Sequence, residues 1–110
     1  MNIGGKFQEE VNLKEKVNTF VFSVNELSKK LNGDIYGLRF LLTQCVKDVP
    51  KVVDAGLNSN KQLSRRKHLA VARESLEQCK NYLSMLKSMN IVSTSDLIHQ
   101  VEEINKMLEK

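Results

Sequence analysis

The sequence predicts an all-α protein: an antiparallel up-down-up-down four-helix bundle occupying residues 1–110 as a single domain. Three observations carry that reading. Apolar residues recur at alternating steps of three and four over four separate stretches, which is the period of one helix face. Five glycines and one proline leave too little turn material for the many short strands of an all-β fold. A hydrophobic fraction of 41% beside 27% charged residues matches an ordinary globular chain and not a disordered one.

The first helix is expected over about 8–32, with Leu13, Val17, Phe20, Val24, Leu27 and Leu31 along one side. Asn32-Gly33 stops it, because both residue types accept the left-handed conformation that closes a helix. The second helix, about 34–56, opens at the N-capping Asp34 and carries Ile35, Leu38, Leu42, Cys45, Val49 and Val52. Pro50 falls inside this stripe. It removes a backbone donor and crowds the carbonyl four residues back, so a kink near Val46 is expected, with a full break at Val49 as the competing reading. The stripe stays in phase through Val52 and Val53, which favours the kink. Gly56 and Asn58-Ser59-Asn60 end the segment.

The third helix, about 61–89, is the longest and aligns Leu69, Ala72, Leu76, Cys79, Leu83 and Leu86. Asn90 closes it. Ser93, Thr94 and Ser95 offer N-cap hydroxyls to the fourth helix, about 95–109, and Asp96 suits its positive end. Its stripe is Leu97, Val101, Ile104 and Leu108. Further apolar residues lie off the main stripes: Val21 and Phe22, then Phe40, Leu41 and Val53, then Ala70, Val71, Met85 and Met89. That surplus points to a homo-oligomer, the alternative being stripes wider than a minimal bundle needs.

No run approaches the ~20 apolar residues that cross a membrane, and the start MNIGGKFQEE has no hydrophobic core of a secretion signal. Cys45 and Cys79 form no CxxC pair and are expected as reduced, buried, small apolar side chains. Catalytic and metal signatures are missing. His68 and His99 sit on different helices without ligand partners at metal spacing, and Glu102 and Glu103 follow His99 instead of preceding it as an inward ExxH pair requires. Gly4-Gly5-Lys6 lacks the rest of a phosphate loop, and no serine stands in a GxSxG turn. No enzyme activity and no cofactor are expected.

The formal net charge of +4 is mild, but its distribution is uneven: residues 58–90 hold seven basic and two acidic residues. Within them Arg66, Arg73, Lys80 and Lys87 recur every seven residues beside the core stripe, a ridge about 30 Å long. Lys61, Arg65 and Lys67 thicken its N-terminal end. Such a ridge suits a phosphate backbone, which cations neutralise without reading sequence. Six aromatic residues and no tryptophan supply little base stacking. The competing reading is a solvated flank that pairs with Glu102, Glu103 and Glu109 of the fourth helix.

Tyr36-Gly37-Leu38, Val49-Pro50 with Gly56, Ala72-Arg73-Glu74-Ser75-Leu76-Glu77 and Tyr82-Leu83 follow one another at spacings that resemble a known bacterial family. These are the four-helix-bundle proteins encoded in intervening sequences of large-subunit ribosomal RNA genes, related to the accessory variability proteins of diversity-generating retroelements. The likeness spans about two-thirds of the chain. Where the family has Asn-Ile-Ala-Glu-Gly this chain has Val52-Val53-Asp54-Ala55-Gly56, and Glu74 replaces a family glycine. The resemblance implies a cytoplasmic bacterial protein, a barrel-like homopentamer without enzymatic activity, and association with RNA or the ribosome. Its retroelement branch implies binding of a reverse transcriptase and nucleic acid.

Overall fold

A computed structural model describes residues 3–31 and 35–109. Helix α1 spans Ile3–Lys30, α2 Leu38–Lys47, α3 Val49–Leu57, α4 Gln62–Ser88 and α5 Ser95–Leu108, with a short 3-10 turn at Ile35–Gly37 before α2. No strand occurs among the described residues. The molecule is a rod of 49 × 22 × 19 Å. Helix α1 packs on α2, α3 and α5, and α4 packs on the same three. Thus α1 and α4 lie on one diagonal, with α5 and the α2–α3 arm on the other.

The core is one cluster drawn from all four arms. Every residue of the two long stripes is buried: Leu13, Val17, Phe20, Val24, Leu27 and Leu31 of the first arm, and Leu69, Ala72, Leu76, Cys79, Leu83 and Leu86 of α4. On α5, Val101, Ile104 and Leu108 are buried and Leu97 is half-buried. Helix α1 starts at Ile3, earlier than its stripe indicates, because extending an existing helix gains one bond per residue fixed, even through Gly4-Gly5. The expected stops and caps at Asn32, Gly33 and Asp34 lie outside the described residues.

The second arm departs most from its expected form. Tyr36 and Gly37 both take left-handed conformations, at φ 52° and 73°, so helix proper begins at Leu38 and not at Asp34. For tyrosine that conformation costs about 1–2 kcal/mol. The arm then breaks instead of bending. Asp48, at φ −98° and ψ −1°, ends α2 and caps α3, and Pro50 sits in the first turn of α3, where its missing N–H costs no helical bond. The inward positions keep steps of three and four across the break, with Val46 and Val53 taking the places expected for Cys45 and Val52. Leu38, Leu42 and Val46 point inward on α2, then Val49, Val53 and Gly56 on α3. Cys45 and Val52, expected in the core, are only half-buried.

The segment ends as expected near Gly56, with α3 closing at Leu57 and Asn58 as its C-cap, and Gly56 itself lies against α4. A Cβ placed there would stand 2.9 Å from Leu69 Cδ2 and 3.1 Å from His68 Cβ. At the far end of α4, Asn90 adopts φ 56°. Its N–H donates to the Lys87 carbonyl at 3.0 Å, and the Ile91 N–H to that of Leu86 at 3.3 Å. These are the two bonds of a left-handed helix cap. Thr94 holds the N-cap position of α5, but its hydroxyl makes no capping bond. Buried, it donates instead to the Leu83 carbonyl at 2.7 Å and fastens the connector to α4.

Candidate nucleic-acid interface

The basic residues of α4 divide into two groups once their neighbours are in place. The middle of the ridge faces α5. Arg73 lies 3.8 Å from Glu109 and Lys80 lies 3.4 Å from Glu102. Between them the Asn105 amide donates to Glu77 at 3.3 Å. Position numbers rise along α4 as they fall along α5, so these three contacts form a polar ladder. The groove beside it carries Arg73 and Lys106 against Glu74, Glu77, Glu102 and Glu109, an acidic balance. Glu103, an expected partner of the ridge, turns the other way and pairs with Lys16 of α1 at 3.3 Å.

The N-terminal end of α4 is different. Lys61, Arg66 and Lys67 are exposed and make no ion pair among the described residues, and the same holds for Lys87 at the other end. Arg65, Arg66 and Arg73 surround a shallow depression with Gln62, Leu69 and Glu109, three cations to one carboxylate. Arg65 is held in place: its guanidinium reaches Glu10 of α1 at 3.3 Å and donates to the Leu57 carbonyl at 3.3 Å. Sequence reasoning missed Glu10, because α1 and α4 are diagonal and the pair is made by two long side chains reaching across. The cations also gather where the helix macrodipole is positive, an arrangement an incoming anion would relieve.

Other candidates of the sequence fall apart in space or serve structure. His68 Nδ1 lies 2.8 Å from the Ser64 carbonyl and donates to it, while His99 is exposed on α5. No group of three or more His, Cys, Asp or Glu side chains able to hold a metal ion occurs among the described residues. Among the described residues, no helix is long and apolar enough to cross a membrane. Of the surplus apolar side chains, Phe22, Val71 and Met85 are exposed, Val21, Leu41 and Met89 are half-buried, and Val53 belongs to the core. No known family model, no curated protein and no solved structure matches the chain.

Proposed function

We propose that the chain is a non-catalytic, cytoplasmic bacterial protein that works by association. In this reading the bundle is antiparallel and up-down-up-down, copies of it form a homo-oligomer, with a pentamer favoured by the family resemblance, and the basic end of α4 contacts RNA or the ribosome. The α4–α5 ladder supports the antiparallel sense for that pair. The observation that carries the functional reading is the cluster of unpaired cations Lys61, Arg66 and Lys67 beside the anchored Arg65. The mid-helix Arg73 and Lys80 already have carboxylate partners, so they contribute less than their place in the ridge suggests.

Binding of single-stranded RNA, read by fluorescence anisotropy across a salt series, tests this. About three neutralised phosphates per subunit give a log–log slope near −2, steeper when several subunits engage. Arg66→Gln with Lys61→Gln reduces the slope by about 1.4 and leaves the helical spectrum unchanged. No measurable affinity at ~50 mM salt overturns the reading, since that is where phosphate contacts are strongest. Sedimentation tests the oligomer separately: a clean monomer at micromolar concentration overturns it.

A second reading is an accessory adaptor that binds a reverse transcriptase and nucleic acid. The exposed apolar side chains of Phe22, Leu63, Val71 and Met85 favour it. Genome context separates the two, a ribosomal RNA operon for the first and a neighbouring reverse transcriptase for the second.

A further inference from the structure

The bundle end where α4 begins and α5 stops carries a concave surface as well as charge. Along the polar ladder, position numbers rise on α4 as they fall on α5, and α4 has 27 residues to the 14 of α5. The first two turns of α4 therefore run past the end of α5 at Leu108 and leave a depression of about 410 Å³ beside it. The buried Leu69 and Leu108 give the depression an apolar floor, and Arg65, Arg66 and Arg73 border it. Glu109 is the single carboxylate of its lining.

We propose that this depression binds the terminal phosphomonoester of an RNA strand in preference to the phosphodiesters along the strand. The proposal rests on the RNA reading above and names the part of the RNA that the site takes. A strand lying along α4 would need cations spaced over the whole helix. In mid-helix, however, Glu102 engages Lys80, and the groove there sets four carboxylates against Arg73 and Lys106. The cations converge at one end only, around a concavity. An internal phosphodiester presents a single negative charge and must let chain pass on both sides. A terminal phosphomonoester carries about −1.5 to −2 charges at pH 7 and three strong acceptor oxygens, and chain leaves it on one side only.

The three guanidiniums are prepared for an anion to different degrees. Arg65 is fixed: its Nη1 donates to the Leu57 carbonyl and its Nη2 to Glu10, each at 3.3 Å. A guanidinium has five N–H donors, so further donors remain for a ligand. Arg66 is exposed and makes no ion pair among the described residues. Arg73 stands 3.8 Å from Glu109, beyond hydrogen-bond distance, and both side chains are substantially solvated, so that contact is weak. A phosphate of nearly double charge displaces the Glu109 carboxylate from Arg73. Glu109 also opposes any anion in the depression by like-charge repulsion, so neutralising it tightens the site.

The test is fluorescence anisotropy of the full chain with short single-stranded RNA that ends in a phosphate or in a hydroxyl, labelled at the opposite end, at ~100 mM salt. The terminal phosphate is expected to tighten binding about tenfold. Arg66→Gln with Arg73→Gln removes that preference. Lys61→Gln with Lys67→Gln, which do not line the depression, weakens both strands alike and keeps the ratio. Glu109→Gln enlarges the preference. Equal affinity for the two strands overturns the terminal site and leaves the RNA reading standing, whereas no binding of either strand overturns both. A preference that survives in the arginine pair and is lost in the lysine pair also overturns it. Vesicles containing phosphatidic acid offer the same phosphomonoester on a lipid surface, and tighter binding to them than to the phosphate-ended strand overturns the assignment to RNA.

Discussion

Along its α5 side, α4 adds to the shared core a rim of partly solvated charges and a half-buried amide: Arg73 with Glu109, Glu77 with Asn105, Lys80 with Glu102. Along its α2–α3 side it meets the second arm through a glycine and apolar side chains, so closely that a Cβ at Gly56 would stand 2.9 Å from Leu69 Cδ2. The same helix thus uses two kinds of adhesion. Surface ion pairs are worth little individually and are screened by salt, whereas close packing is enforced by sterics and insensitive to salt. The charged seam sets which residues lie opposite one another. The buried cluster, to which α5 contributes Val101, Ile104 and Leu108, holds all four arms together.

If that division holds, damage to the apolar seam is the more severe. Leu42→Ala, hollowing the core behind it at a fully buried position, lowers unfolding free energy by about 2–5 kcal/mol in urea titration. Gly56→Val forces a branched side chain into the contact with Leu69 and His68 and costs about 2–3 kcal/mol by the same measurement. Thr94→Val removes the hydroxyl bond to the Leu83 carbonyl while keeping the volume, for a loss of about 1 kcal/mol, visible as a lower thermal midpoint. The smallest effect belongs to the charged seam. A double-mutant cycle of Lys80→Gln with Glu102→Gln gives a coupling of at most about 0.5 kcal/mol, because both side chains are partly solvated, and it vanishes at ~1 M salt. A coupling of several kcal/mol that resists salt would invert the comparison.

The long helices were legible because their stripes run uninterrupted: all twelve stripe residues of α1, its end at Leu31, and α4 are buried. The second arm was not, for a local reason. Cys45 and Val46 both border the face that Leu42 and Val49 define, as Val52 and Val53 do beyond it, so spacing does not choose between them; the structure buries Val46 and Val53 and leaves Cys45 and Val52 half-buried. Nothing in local spacing announces two consecutive left-handed residues at Tyr36-Gly37 either, since tyrosine rarely adopts that conformation. Asn90 was legible because asparagine at a helix end is a strong conformational signal. Thr94 was read as a cap because its residue type suits one, but burial sent its hydroxyl to α4. For the candidate interface, heptad spacing placed the ridge correctly beside the core. Which cations stay unpaired depends on the acids that α1 and α5 bring to it, and pairs such as Glu10 with Arg65 have no signature in linear spacing.

The connector between α4 and α5 works as a ruler. Its two ends are clamped, by the left-handed cap at Asn90 and by the Thr94 hydroxyl on the Leu83 carbonyl. Each residue added to a helix advances it by ~1.5 Å and rotates it by ~100°. One position inserted or deleted in the first turns of α5, between Ser95 and Val101, would therefore displace every rung of the ladder together, setting Glu102, Asn105 and Glu109 against the wrong neighbours and turning Val101 and Ile104 out of the core. Substitutions at the exposed Ser93 leave that spacing intact. In an alignment of relatives, this stretch should therefore hold its length and its threonine while varying at the exposed Ser93, the reverse of what a flexible surface loop allows.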